Sequence, residues 1–136
     1  MQFAFRSPKF PLLFDAGSTL LFARSKAQLA TRVSKLELTS KERREIIDAT
    51  GEGFCMYAGS MNVAPSIAMR RWTKTKIIDL YNSRRSPGAP EMRSTSLGSR
   101  SLAQIVSEAV ELLAQQPPAA SRPKVEDSVS PPQNEA

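Results

Sequence analysis

Hydrophobic and polar positions along the chain follow three regimes. From Leu20 onward, Leu21, Ala23, Ala27, Leu29, Ala30, Val33 and Leu36 recur at spacings of three and four, with Arg24, Lys26, Gln28, Arg32 and Lys35 between them. That is the period of one helix face. Ser18 or Thr19 can cap it, so a helix is expected from there to Lys35. Thr39 and Glu42 have capping-box spacing behind the apolar Leu38, which predicts a second helix through Ile46, Ile47 and Ala49, stopped by Gly51 and Gly53. Residues 54 to 58 read as a short buried helical turn or strand. Pro65, tolerated in a first turn, opens a further helix containing Ile67, Ala68 and Trp72. Ile77, Ile78, Leu80 and Tyr81 then continue the helical spacing past a polar Thr73-Lys74-Thr75-Lys76 stretch. Either one helix runs through, or Thr73 caps a new one. After a Ser86-Pro87-Gly88-Ala89-Pro90 loop, Ser99 or Ser101 starts a last helix, where Leu102, Ile105, Val106, Ala109, Val110, Leu112 and Leu113 make a broad apolar face.

The two ends differ from this. Residues 1 to 17 alternate Phe3 and Phe5 with smaller or polar neighbours and then meet Pro8 and Pro11, which predicts an extended arm with a short strand at 2 to 6. Residues 117 to 136 are rich in proline and lack periodicity, the composition of a disordered tail. The pattern as a whole predicts a mainly α protein: a bundle of four or five helices over residues 18 to 116, with a helix-turn-helix-like arrangement as one form.

Charge is uneven along this frame. Residues 1 to 35 carry six basic residues against Asp15, giving +5; residues 36 to 85 give +3; residues 86 to 136 give −2. The excess favours polyanionic partners. It is densest around the single tryptophan, where Arg70, Arg71, Lys74, Lys76, Arg84 and Arg85 stand against Asp79, with Thr73 and Thr75 as further donors. Phosphate oxygens accept hydrogen bonds from these residue types, and a helix start adds oriented backbone N–H groups. The order Trp72-Thr73, three residues, Ile77 resembles the start of the corresponding helix in the DNA-binding regions of large serine recombinases. The likeness is confined to that helix start and includes no catalytic domain. Non-enzymatic DNA binding, in regulation or DNA handling, is the function expected from Arg70, Arg71, Thr73, Lys74, Thr75, Lys76, Arg84 and Arg85. The alternative is a helical adaptor that offers Leu102, Ile105, Val106, Ala109 and Leu113 to a protein partner or to a second copy in a homodimer.

Catalytic chemistry has little material. The chain has no histidine and one cysteine, Cys55, which removes histidine-based acid–base systems and Cys/His zinc sites. No cofactor or metal is expected. Gly51-Glu52-Gly53 lacks the rest of a phosphate-loop fingerprint. A lone cysteine fits a reducing compartment such as the cytoplasm, while the Arg-, Ser- and Phe-containing, acid-poor residues 1 to 35 are compatible with an organelle-targeting segment instead. No apolar run approaches the roughly 20 residues of a membrane span.

Overall fold

A computed structural model of the protein describes residues 1 to 116. The tail expected over 117 to 136 lies outside the described residues. The architecture corrects the mainly α expectation: six strands form one mixed sheet, and three α-helices pack on it. In chain order these are β1 (Gln2–Phe3), β2 (Leu12–Asp15), β3 (Leu20–Ala23), α1 (Lys26–Ser34), β4 (Arg43–Ile47), β5 (Gly53–Tyr57), β6 (Asn62–Pro65), α2 (Lys74–Arg84) and α3 (Leu102–Ala114). The sheet runs β1-β6-β5-β4-β2-β3, antiparallel throughout except for the parallel β1–β6 edge.

Each strand sends successive side chains to opposite faces, and the two faces carry separate cores. Leu12, Phe14, Ile46, Phe54, Met56 and Val63 pack with Leu29 and Val33 of α1. Leu13, Leu20 and Ile47 pack on the other side with Ile77, Ile78 and Tyr81 of α2 and Ile105, Val106, Ala109, Val110 and Leu113 of α3. Because both faces are covered, the inner strands read as continuous apolar runs such as Leu12-Leu13-Phe14 and Ile46-Ile47. A short run of that kind cannot be told from a buried helical turn by periodicity.

The corrections follow from this. The helix expected over 18 to 35 is β3 and then α1. Gly17, at φ +97°, turns β2 back into β3, and the helix cap is Ser25, whose hydroxyl accepts from the Gln28 amide at 3.1 Å. The helix expected after Thr39 is β4. One capping-box bond is nevertheless present in a turn, the Thr39 amide donating to Glu42 Oε2 at 3.1 Å, while the Glu42 amide donates to the Thr39 backbone carbonyl at 3.0 Å as in an ordinary turn. No helix follows, since β-branched Ile46 and Ile47 each fill a different core. Pro65 ends β6 rather than opening a helix; it lies beyond the last β1 pairing, where a missing N–H is harmless. Residues 1 to 17, expected as an extended arm, supply β1 and β2 of the sheet itself. With no helix pair preceding α2, and α2 laid on a sheet beside α3, the helix-turn-helix-like arrangement is also corrected.

The β4–β5 turn is organised by Asp48, a buried carboxylate that accepts from the Lys9, Thr50 and Glu52 amides at 2.9 to 3.1 Å and from the Thr50 hydroxyl at 2.6 Å. Residues 66 to 72 then strap across the start of β5. The Gly53 amide donates to the Arg70 carbonyl, the Ser66 amide to the Gly53 carbonyl and the Trp72 amide to the Gly51 carbonyl, each at 2.9 Å. A Cβ on Gly53 would lie 1.7 Å from the Met69 carbonyl oxygen, so this close crossing requires glycine. The strap delivers the basic cluster to its position.

Candidate functional site

Thr73 caps α2, its hydroxyl accepting from the Lys76 amide at 3.2 Å, and Trp72 in front of it is 8% exposed and belongs to the core. Of the two forms open in the sequence, a new helix beginning at Thr73 is the one adopted. Its buried face is Ile77, Ile78 and Tyr81. Thr75 and Lys76 therefore point outward on the first turn, which holds no acidic residue.

The eight expected residues divide into two groups. Arg70, Arg71, Thr73, Lys74, Thr75 and Lys76 gather around the α2 N-terminus. Arg84 and Arg85 stand at its other end, about 16 Å away for a helix of 11 residues. The far pair is engaged within the fold. Arg84 grips Asp15 with Nε at 3.0 Å and Nη2 at 3.3 Å, while Arg85 donates to the Ala89 carbonyl at 2.7 Å and lies 3.9 Å from Glu91. In the near group, Lys74 donates to the Leu97 carbonyl at 2.7 Å, holding the 3-10 turn Leu97–Ser99, and Arg71 reaches the Thr50 carbonyl at 3.3 Å. The side chains of Arg70, Thr75 and Lys76 are exposed and make no hydrogen bond or ion pair among the described residues.

Seven ion pairs among the described residues engage seven of their ten carboxylates. Of their seventeen cations, ten have no carboxylate partner there, and Arg70, Arg71, Lys74 and Lys76 are four of them. Cations at a helix N-terminus oppose its dipole and cost a few tenths of a kcal/mol or more each. The neighbouring helix shows the stabilising alternative: at α3, Ser101 and Gln104 form a complete capping box. In α2 the position equivalent to Gln104 is Lys76, so the box is replaced by a charge of the unfavourable sign.

The alternative site takes a different place. Ile105, Val106 and Ala109 are fully buried, Leu113 is 9% exposed, and Leu102 is half-buried against Gly51. This face is covered by the chain's own sheet and α2, which removes the open apolar surface that a partner or second copy would need.

Cys55 is buried on β5, with the Arg43 guanidinium donating to its sulfur at 2.7 Å. Burial pushes the thiol's pKa up despite that guanidinium, which keeps it in the unreactive protonated form. No group of three or more metal-ligating side chains occurs among the described residues.

The sequence reading missed a second feature beside the cluster. A cleft of about 240 Å³ is lined by Arg6, Glu52, Pro65, Ser66, Ile67 and Arg70, and Arg6 pairs with Glu52 inside it. Phe5 and Ile67 are the most exposed large apolar side chains among the described residues, at 96% and 92%. Both were legible only as strand or helix positions, because the turn and strap that expose them are tertiary features. No helix of the described residues is long and apolar enough to cross a membrane. No family model, curated protein or solved structure matches this chain.

Proposed function

We propose that the protein is a non-enzymatic DNA-binding protein that holds the phosphate backbone at the N-terminal end of α2, through Arg70, Arg71, Thr75 and Lys76. The supporting observation is the set of cations without carboxylate partners at the positive end of a helix whose first turn has no acid. Phosphate would relieve both the mutual repulsion and the conflict with the helix dipole. With β6 and not a helix preceding α2, the helix-turn-helix mode of groove reading has no support in this fold. Phosphate contacts position a protein on nucleic acid without reading sequence. Lys74, Arg84 and Arg85 act from behind, fixing the loops around α2. The cytoplasm or another reducing compartment fits a single buried thiol, with an organelle reached through residues 1 to 35 as the alternative; those residues also supply three of the six strands.

The test is a titration of labelled DNA across a salt series. Binding should weaken with a log–log slope of about −0.9 per duplex phosphate engaged, or about −0.7 on a single strand. Joint replacement of Arg70, Arg71 and Lys76 by alanine should flatten that slope while leaving the thermal transition in place. An unaltered slope in the triple variant would remove this surface from the proposal.

A further inference from the structure

Phe5 occupies an expensive position. The Arg6 amide donates to the Ala4 carbonyl at 2.8 Å, closing a three-residue turn with Phe5 at its tip and φ at +71°. This is the rare, strained form of that turn, one that glycine adopts freely and a bulky side chain does not. The Phe5 ring is 96% exposed and joins neither core, so the fold gains no packing in return. Strain retained at an exposed aromatic points to a bound partner.

The surroundings indicate its chemistry. Arg6, next in the chain, enters the cleft and pairs with Glu52, so those two charges cancel and Arg70 is left as the free cation on the rim. Ile67, 92% exposed, adds an apolar group to the cleft lining, and Glu52 adds a carboxylate. At about 240 Å³ the cleft is smaller than the roughly 300 to 1,000 Å³ of pockets that enclose complete small ligands, and it suits one ring of a polymer. An exposed aromatic, a ring-sized cleft and an unpaired guanidinium match the repeat of bases and phosphates in a single strand, where base faces are open for stacking. A duplex keeps those faces covered. A peptide would look for a continuous apolar groove or a long free strand edge, whereas the apolar groups here are isolated among arginines and β1 has only two residues.

We propose that this surface binds single-stranded nucleic acid, with one base stacked on Phe5, a neighbouring base seated in the cleft against Ile67, and Arg70 on the phosphate between them. The inference rests on the nucleic-acid reading above and shares Arg70 with it. Fluorescence anisotropy on the full chain, with oligothymidylate, oligouridylate and duplex DNA of about twelve residues, separates the two. Either single strand should bind more tightly than the duplex, and the ratio between the two strands tells whether the sugar is read. Phe5→Gly should lower single-strand affinity by about fivefold or more, leave duplex affinity unchanged and raise the melting temperature by relieving the turn. Phe5→Trp should retain single-strand binding. If Phe5→Gly binds single strands as the parent does, while binding still depends on Arg70 and Lys76, the stacking proposal is overturned and the broader reading stands. If none of the three nucleic acids binds, both fall. Phe5-dependent capture of an acidic peptide without any nucleic-acid binding would overturn both in favour of a protein partner.

Discussion

The two ends of α2 have similar compositions and opposite fates. At the C-terminal end Arg84 and Arg85 complement the helix dipole and are held by Asp15, the Ala89 carbonyl and Glu91. At the N-terminal end Arg70 and Lys76 oppose that dipole and are left without partners among the described residues. The first arrangement is what stability alone would select. The second departs from it at a position, Lys76, where the capping box of α3 shows what a stabilising choice looks like. A count of basic residues treats the two ends as one cluster, whereas their partners distinguish scaffold from surface. Departures from the stabilising choice are where a functional demand is to be sought.

The comparison breaks most severely if the strap carrying Arg70 and Arg71 is displaced. Gly53→Ala puts a Cβ against the Met69 carbonyl oxygen, and neither backbone segment can yield without losing the hydrogen bonds between them. A loss of about 3 kcal/mol or more is expected in chemical denaturation. DNA affinity should fall with it, since the cations lose their placement. A Gly53→Ala protein with parental stability would mean that the strap does not cross β5 this closely.

A smaller effect distinguishes the tied end. Arg84→Ala removes a two-point grip on Asp15 in a pair whose side chains are only 29% and 18% exposed. It should cost about 1 to 2 kcal/mol in denaturant unfolding. DNA binding by the refolded variant should match the parent. Weakened DNA binding at full stability would instead join Arg84 to the interface and dissolve the contrast between the ends.

The smallest change in stability carries the sharpest contrast. Lys76→Glu creates capping-box spacing with Thr73 and places a favourable charge in the first turn, which should raise stability by about 0.5 to 1 kcal/mol. The same substitution should weaken DNA binding by more than Lys76→Ala does. Stability and affinity moving in opposite directions, read by thermal melting and by DNA titration, are what a functional cation at this position requires. If both rise, or neither changes, Lys76 is an ordinary solvated residue.

Much of the local structure was legible without the fold. Thr73 as a possible cap, Ser101 as one of two possible caps, the Ser86-Pro87-Gly88-Ala89-Pro90 loop and the apolar face of the last helix all follow from side-chain chemistry acting within a few residues. The sequence also limited the chemistry, because a chain with no histidine and one cysteine lacks the side chains for many enzyme designs. Leu20-Leu21-Phe22-Ala23 and Ile46-Ile47 were misread for a specific reason. In a sheet covered on both faces, even the edge strand β3, with Leu20 and Phe22 toward one core and Leu21 and Ala23 toward the other, loses the polar alternation that would identify it, and a short apolar run then satisfies helical and extended spacing equally.

Which apolar residues meet was decided only in three dimensions. Ile46 and Ile47 are neighbours in the chain and belong to different cores. The face of α3 that could have been an open docking surface is the inner wall of one of them. The same holds for the charges: nothing local in the sequence tells Arg84 from Arg70, because Asp15 lies far away in the chain and the strap over Gly53 aims Arg70 outward. Composition and capping chemistry act over a few residues, so the sequence alone offered Thr73 and Ser101 as caps, the apolar face of the last helix and the excess of positive charge. Strand pairing and charge pairing depend on residues tens of positions apart, so the tertiary structure alone decided the sheet, the two cores and which cations face solvent.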